Sequence, residues 1–87
     1  MTQTQQIGQT TMENIGKIVG KVIRTFPDRG FVWIKGEDGV DYFAHASQMQ
    51  HVNIYDLWVG RQCRFLPTEG EKGPAAESIE AVEEVGT

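Results

Sequence analysis

The chain has a single cysteine, Cys63, only two histidines and three prolines in 87 residues. One thiol cannot close an internal disulfide, and it cannot build a structural zinc cage by itself. His45, His51 and Cys63 match no zinc-ligand spacing, and Cys63 alternates as a core residue, so no metal and no cofactor is expected. No apolar run is long enough for a membrane-spanning helix or a secretory core, which fits a reducing, cytoplasmic setting with no membrane partner. Positive charge is also scarce: 8 Lys and Arg face 12 Asp and Glu, a formal net charge of −4. That excludes a protein holding nucleic acid by bulk charge alone. No catalytic constellation is present. Ser47 follows His45 by two residues without an acid partner or an oxyanion hole, and it reads as a turn cap. Gly36, Gly39 and Gly70 sit at turns and form no phosphate loop ahead of a helix. An enzyme is not expected.

What is present is the composition of one small domain. Apolar residues make up 39%, and 10 glycines bring the total near the ordinary globular level. Residues 1–14 are rich in Gln and Thr and read as a flexible arm. The domain is expected over residues 15–83, with an acidic tail end over 84–87. Charge is uneven. Residues 1–66 carry 7 Lys or Arg and 6 Asp or Glu, whereas residues 67–87 carry Lys72 against 6 Glu. The plain reading of the second group is a solvated acidic tail; the sharper one is a tail competing with nucleic acid for a basic face.

Strand signals dominate. Residues 16–26 are rich in β-branched side chains, and Gly20 inside them suggests a bend or bulge. Pro27-Asp28-Arg29-Gly30 is a turn, residues 31–35 a second strand, residues 36–39 a hairpin loop and residues 40–45 a third strand. Residues 47–55 read as a long loop with room for a helical turn. Residues 60–66 make a fourth strand with Cys63 and Phe65 on one face. Beyond Pro74, the residues Ala75, Ala76, Ile79 and Val82 fall at helical spacing, and local propensity alone predicts a helix there. Several short strands separated by turn signals point to a small barrel, which leaves few free edges.

The second and third strands carry the functional signal. Alternation puts Val32 and Ile34 on one face and Phe31, Trp33 and Lys35 on the other. The third strand repeats this, with Tyr42 and Ala44 opposed to Phe43 and His45. Paired as a hairpin, Phe31, Trp33, Phe43 and His45 form one aromatic platform. Every base has a π-face, so such a platform stacks bases with little regard to sequence, at about 1–3 kcal/mol per base. Lys21, Arg24, Arg29 and Lys35 at its rim are candidate phosphate contacts. The plain alternative is a second hydrophobic core closed by the tail or by a partner.

Residues 29–34, Arg-Gly-Phe-Val-Trp-Ile, resemble the first RNA-binding motif of the cold-shock domain family, and residues 41–47, Asp-Tyr-Phe-Ala-His-Ala-Ser, resemble its second. Leu57, Gly60, Cys63 and Phe65 then stand at family positions, and residues 72–76, Lys-Gly-Pro-Ala-Ala, match its Lys-Gly-Pro-x-Ala signature. The resemblance covers residues 16–82. It implies an all-β, five-stranded antiparallel OB-type barrel in which the segment after Pro74 is the closing strand. It also implies binding of single-stranded RNA or DNA, and a role as a nucleic-acid chaperone or as a regulator of transcription or translation. An RNA recognition motif would need two amphipathic helices, and this chain offers at most one. A related RNA-binding barrel, repeated in a large ribosomal protein, shares Gly20-Lys21-Val22 and His45-Ala46-Ser47, but Lys72-Gly73-Pro74 favours the cold-shock branch.

The departures from the family pattern fall on the binding face. Arg24 and Thr25 stand where a Trp-Phe pair is usual, Phe26 where Asn is common, and Ala46 where an aromatic follows the His. Ile54 replaces a loop aromatic, with Tyr55 one residue on. Phe26 and Tyr55 are candidate replacements, the alternative for Phe26 being burial under the turn. A guanidinium plane can also lie on a base, which gives Arg24 a second role. Trp58 and Val59 occupy positions usually polar or acidic. Packing against the long loop is the plainer reading for Trp58; the sharper one is contact with a protein partner or a second copy of the chain. These departures motivate the alternative from another class, a barrel repurposed as a protein-binding regulator or inhibitor. If stacking does dominate, salt dependence should be shallow.

Overall fold

A computed structural model of the protein describes residues 16–82, so the expected arm over 1–14 and the tail end over 84–87 lie outside the described residues. Five strands form: β1 (Ile18–Phe26), β2 (Phe31–Gly36), β3 (Asp41–His45), β4 (Gln62–Gly70) and β5 (Gly73–Ala81). They close into a barrel in the order β1-β2-β3-β5-β4. Four pairings are antiparallel. The exception is the seam, where β3 meets β5 in parallel at one register pair, Phe43 with Ala75.

The alternation expected of β2 and β3 holds. Val32, Ile34 and Ala44 are fully buried and Tyr42 nearly so; Val22, Leu57, Cys63, Phe65, Ala76 and Ile79 complete the core. The long loop over residues 46–61 contributes its share. Leu57 is buried, while Met49, Val52 and Ile54 pack against the core from that side. Short 3-10 turns at Ala46–Gln48 and Ile54–Asp56 stiffen the loop. Among the described residues, no helix is long and apolar enough to cross a membrane.

Three expectations, on the end of β4, the acidic tail and Gly20, need correction. The segment after Pro74 is the closing strand that the resemblance implies, against local propensity, and its helical spacing has a physical source. Opposite Phe65, β5 carries one extra residue, and Ser78 takes a φ of 50°. That bulge turns Ala76 and Ile79, three residues apart, into the same core. The fourth strand also runs past residue 66 to Gly70, leaving a two-residue turn, Glu71-Lys72. Glu69, Glu71, Glu77 and Glu80 therefore belong to the β4–β5 hairpin and not to a tail.

The second bulge lies in β1 between Val22 and Arg24, and not at Gly20. Gly20 sits in regular register with Gly36 and Cys63. It is glycine for closeness: a Cβ there would stand 2.7 Å from Ile34 Cγ2 and 2.8 Å from the Lys35 carbonyl oxygen.

Candidate nucleic-acid interface

The bulge at Ile23 determines what β1 shows to solvent. Strict alternation would put Lys21 and Ile23 on one face and Arg24 and Phe26 on the other. With one extra residue, Lys21 pairs with Lys35, Arg24 with Trp33, and Phe26 with Phe31. On the other side of β2, Lys35 pairs with Asp41, Trp33 with Phe43, and Phe31 with His45. The outer face thus carries three rows: Lys21–Lys35–Asp41, Arg24–Trp33–Phe43 and Phe26–Phe31–His45.

The rings form one continuous surface. Centroids lie 4.9 Å apart for Phe26 and Phe31, 5.1 Å for Phe31 and Phe43, and 5.7 Å for Trp33 and Phe43. His45 joins at 6.3 Å from Phe43. Phe26, Phe31, Trp33 and Phe43 are half-buried and His45 is exposed. Phe26 is part of the platform and is not buried under the turn. The Arg24 guanidinium carbon lies 5.7 Å from the Phe26 ring centre, within cation–π range.

The turn before β2 explains how the platform's first row is held. Pro27 fixes the start of a 3-10 turn, and Gly30 ends it at a φ of 84°, a conformation that disfavours side chains. The Gly30 carbonyl then accepts from the Ala46 N–H at 2.8 Å, tying the turn to the end of β3. At that end His45 caps the following turn, its Nδ1 accepting from the Ser47 N–H at 3.1 Å. With Nδ1 an acceptor, Nε2 carries the ring proton of the neutral imidazole. Ser47, read as the cap, is the capped residue.

The basic side chains differ in availability. Lys21, Arg24 and Arg29 are exposed. Lys35 is paired with Asp41 at 3.3 Å, with both side chains about half exposed. Such a pair is worth little in stability, yet it neutralises one rim charge. Tyr55 is 71% exposed on the long loop. Its N–H is held by Asn53 Oδ1 at 2.8 Å, and among the described residues no ring pairing joins it to the platform. Trp58 is 56% exposed, against the expectation that it packs on the loop. The turn that follows is hydrogen-bonded to β1 through the Gly60 N–H and the Val22 carbonyl, and the Arg61 guanidinium covers the Trp58 ring at 4.5 Å.

Sequence reasoning missed one feature. Where β3 and β5 part at the seam, a cleft of about 330 Å³ opens beside the platform, bounded by Phe43 and His45 on one side and the β4–β5 hairpin on the other. Glu69, Glu71 and Glu77 line it. No local signal marks it, because it depends on the contact between β3 and β5, strands distant in sequence that pair only at Phe43 and Ala75. Among the described residues, no group of three or more His, Cys, Asp or Glu is placed to hold a metal.

No family model matches the chain. Individual proteins do. Cold shock protein 2 of Lactiplantibacillus plantarum is 36% identical over 53 residues, 61% of this chain and 80% of that protein. Cold shock protein CapB of Pseudomonas syringae is 33% identical over 55 residues, 63% of this chain and 80% of its own length. The major cold shock protein of Streptococcus pyogenes is 38% identical over 52 residues, 60% and 78% of the two chains. The closed five-stranded barrel, the two aromatic strands in register and this similarity over most of the relatives' length lead to one statement: the chain belongs to the cold-shock protein family.

Proposed function

We propose that the protein binds single-stranded RNA or DNA by stacking bases on Phe26, Phe31, Trp33, Phe43 and His45, and acts as a nucleic-acid chaperone or regulator of gene expression, without enzymatic activity. The observation that carries this reading is the continuity of the ring surface: successive centroids 4.9–5.7 Å apart from Phe26 through Phe31 and Phe43 to Trp33. Aromatic side chains left on an outer face forgo the stabilisation of full burial, about 1.5–3 kcal/mol each, and a stacking ligand recovers that contact. Lys21, Arg24 and Arg29 supply phosphate contacts along the β1 flank. Lys35, held by Asp41, and Tyr55, away from the rings, contribute less.

The test is a fluorescence titration in a Trp58→Phe variant, which leaves Trp33 as the reporter. Heptathymidine and heptauridine should quench it saturably at low salt. Absence of a saturable quench with oligonucleotide at millimolar concentration overturns the proposal. A barrel given over to a protein partner is supported by the exposure of Trp58 and Val59, at 56% and 60%. Arg61 already occupies one face of that indole, so the platform has the larger free ring surface. A stoichiometric protein that copurifies after nuclease treatment and displaces oligonucleotide would reverse that order.

A further inference from the structure

The outer face is electrostatically lopsided across its width. Lys21, Arg24 and Arg29 lie along β1 and its turn, the rings lie across β2 and β3, and the cleft at the seam is lined by Glu69, Glu71 and Glu77 against Lys72, a net negative charge. A phosphate chain is drawn to the first flank and repelled by the last. Bases stacked on the rings then point their edges towards the seam. β3 and β5 run parallel from the pair Phe43–Ala75 and then part, and two residues on from that pair His45 and Glu77 both line the cleft.

We infer that this cleft reads the Watson–Crick edge of one base and selects guanine, with Glu77 as the specificity-determining group. The inference rests on the proposed nucleic-acid binding and names the base preference of that site. Glu77 is half-buried, and among the described residues no ion pair engages its carboxylate. An ionised carboxylate only accepts hydrogen bonds. Guanine presents N1–H and N2–H side by side, which two carboxylate oxygens can take together. Uracil and thymine present one N–H between two carbonyl oxygens, so a carboxylate meeting that edge gains one bond and faces an acceptor. Gln48 adds definition to the wall: its Oε1 accepts from the Ser78 N–H at 3.4 Å, which fixes the side chain and turns the acceptor end away. The cleft, at about 330 Å³, is within the roughly 300–1,000 Å³ range of clefts that take small ligands.

The experiment is a guanine scan. Heptathymidine is compared with seven oligonucleotides, each carrying one guanine at a successive position, by titration of the protein and of its Glu77→Gln and Glu77→Ala variants. In the unaltered protein one register should bind about tenfold tighter than heptathymidine. In both variants that ratio should fall towards one, while affinity for heptathymidine holds or rises. The ratio cancels the general gain from removing a negative charge. A flat scan in the unaltered protein, with heptathymidine bound, overturns this inference alone. A guanine preference that survives both substitutions also overturns it. Failure of every heptamer to bind overturns the proposed function, and this inference with it.

Discussion

The two faces of the β2–β3 hairpin use the same few residues for opposite ends. Val32, Ile34, Tyr42 and Ala44 point inward and are between 0% and 6% exposed. Phe31, Trp33 and Phe43, half-buried, and His45, exposed, alternate with them. Inner residues gain stability from contact with β1, β4 and β5. Outer residues are held in place by the same backbone pairing without being covered. Stability and binding are thus written on alternate positions, and substitutions one residue apart should separate them.

The largest expected effect is on the inner face. Ile34→Ala leaves a cavity beneath Gly20 and Phe65 and should cost about 2–5 kcal/mol of stability, measured by urea unfolding. Cys63 gives an independent readout. It is fully buried, and burial pushes its thiol up to about 12, so it reacts with thiol reagents only when the barrel opens. Labelling at pH 8 should accelerate in Ile34→Ala and stay slow in Phe31→Ala. Equal acceleration in both would erase the distinction between the faces.

Next comes Gly20→Ala. The added methyl meets Ile34, Phe65 and the Lys35 carbonyl, all within 3 Å, and backbone cannot yield as a side-chain tip can. Overpacking of this kind costs about 1–3 kcal/mol. The change lies beneath Trp33's neighbours and removes no ring, so affinity per folded molecule should hold.

On the outer face, Phe31→Ala and Phe43→Ala should each lose about 1–3 kcal/mol of oligonucleotide affinity. Their unfolding midpoints should move less than that of Ile34→Ala. Lost stability with unchanged affinity would make the outer rings a second core and sink the stacking reading. Arg24→Gln has a smaller effect. If Arg24 meets one phosphate, the logarithmic salt slope should fall by about 0.7, as measured by titration across salt concentrations.

How far these faces were legible depended on whether the ladder kept its period. Val32, Ile34, Tyr42 and Ala44 were readable because β2 and β3 pair without interruption, and the four-ring platform followed from the same alternation. β1 and β5 each hold an extra residue, and there alternation alone does not give the faces. Lys21 and Arg24 have opposite parity, yet they share a face through the bulge at Ile23. Ala76 and Ile79 mimic a helix through the bulge at Ser78. A bulge is set by which strands lie on either side, and that information is not local. β4 was cut short at Pro67 for a similar reason. Pro67 pairs only with β5, since β1 meets β4 no further than Phe65, so its missing N–H faces no partner strand.

The smallest expected effect separates two kinds of outer position. On the side of the barrel away from the rings, Glu80 of β5 accepts from Arg64 at 3.3 Å and from Lys17 at 3.4 Å. Burial by itself would raise the Glu80 carboxyl, but the hydrogen bond from Arg64 and the charge of Lys17 outweigh it and hold the carboxyl below its usual range. A carboxyl depressed in the folded state adds stability above its unfolded pKa, about 4.5, and loses it as pH falls through the lower folded value. Glu80→Gln should therefore lower the unfolding midpoint at pH 7 and flatten its fall in acid, by under about 1 kcal/mol for a pair this accessible. Neither change should touch oligonucleotide affinity, because Glu80 lies across β4 from Val19 and not on the ring surface. An acid limb of the same steepness in the variant would mean that the Glu80 pairs with Arg64 and Lys17 contribute nothing to holding the barrel closed.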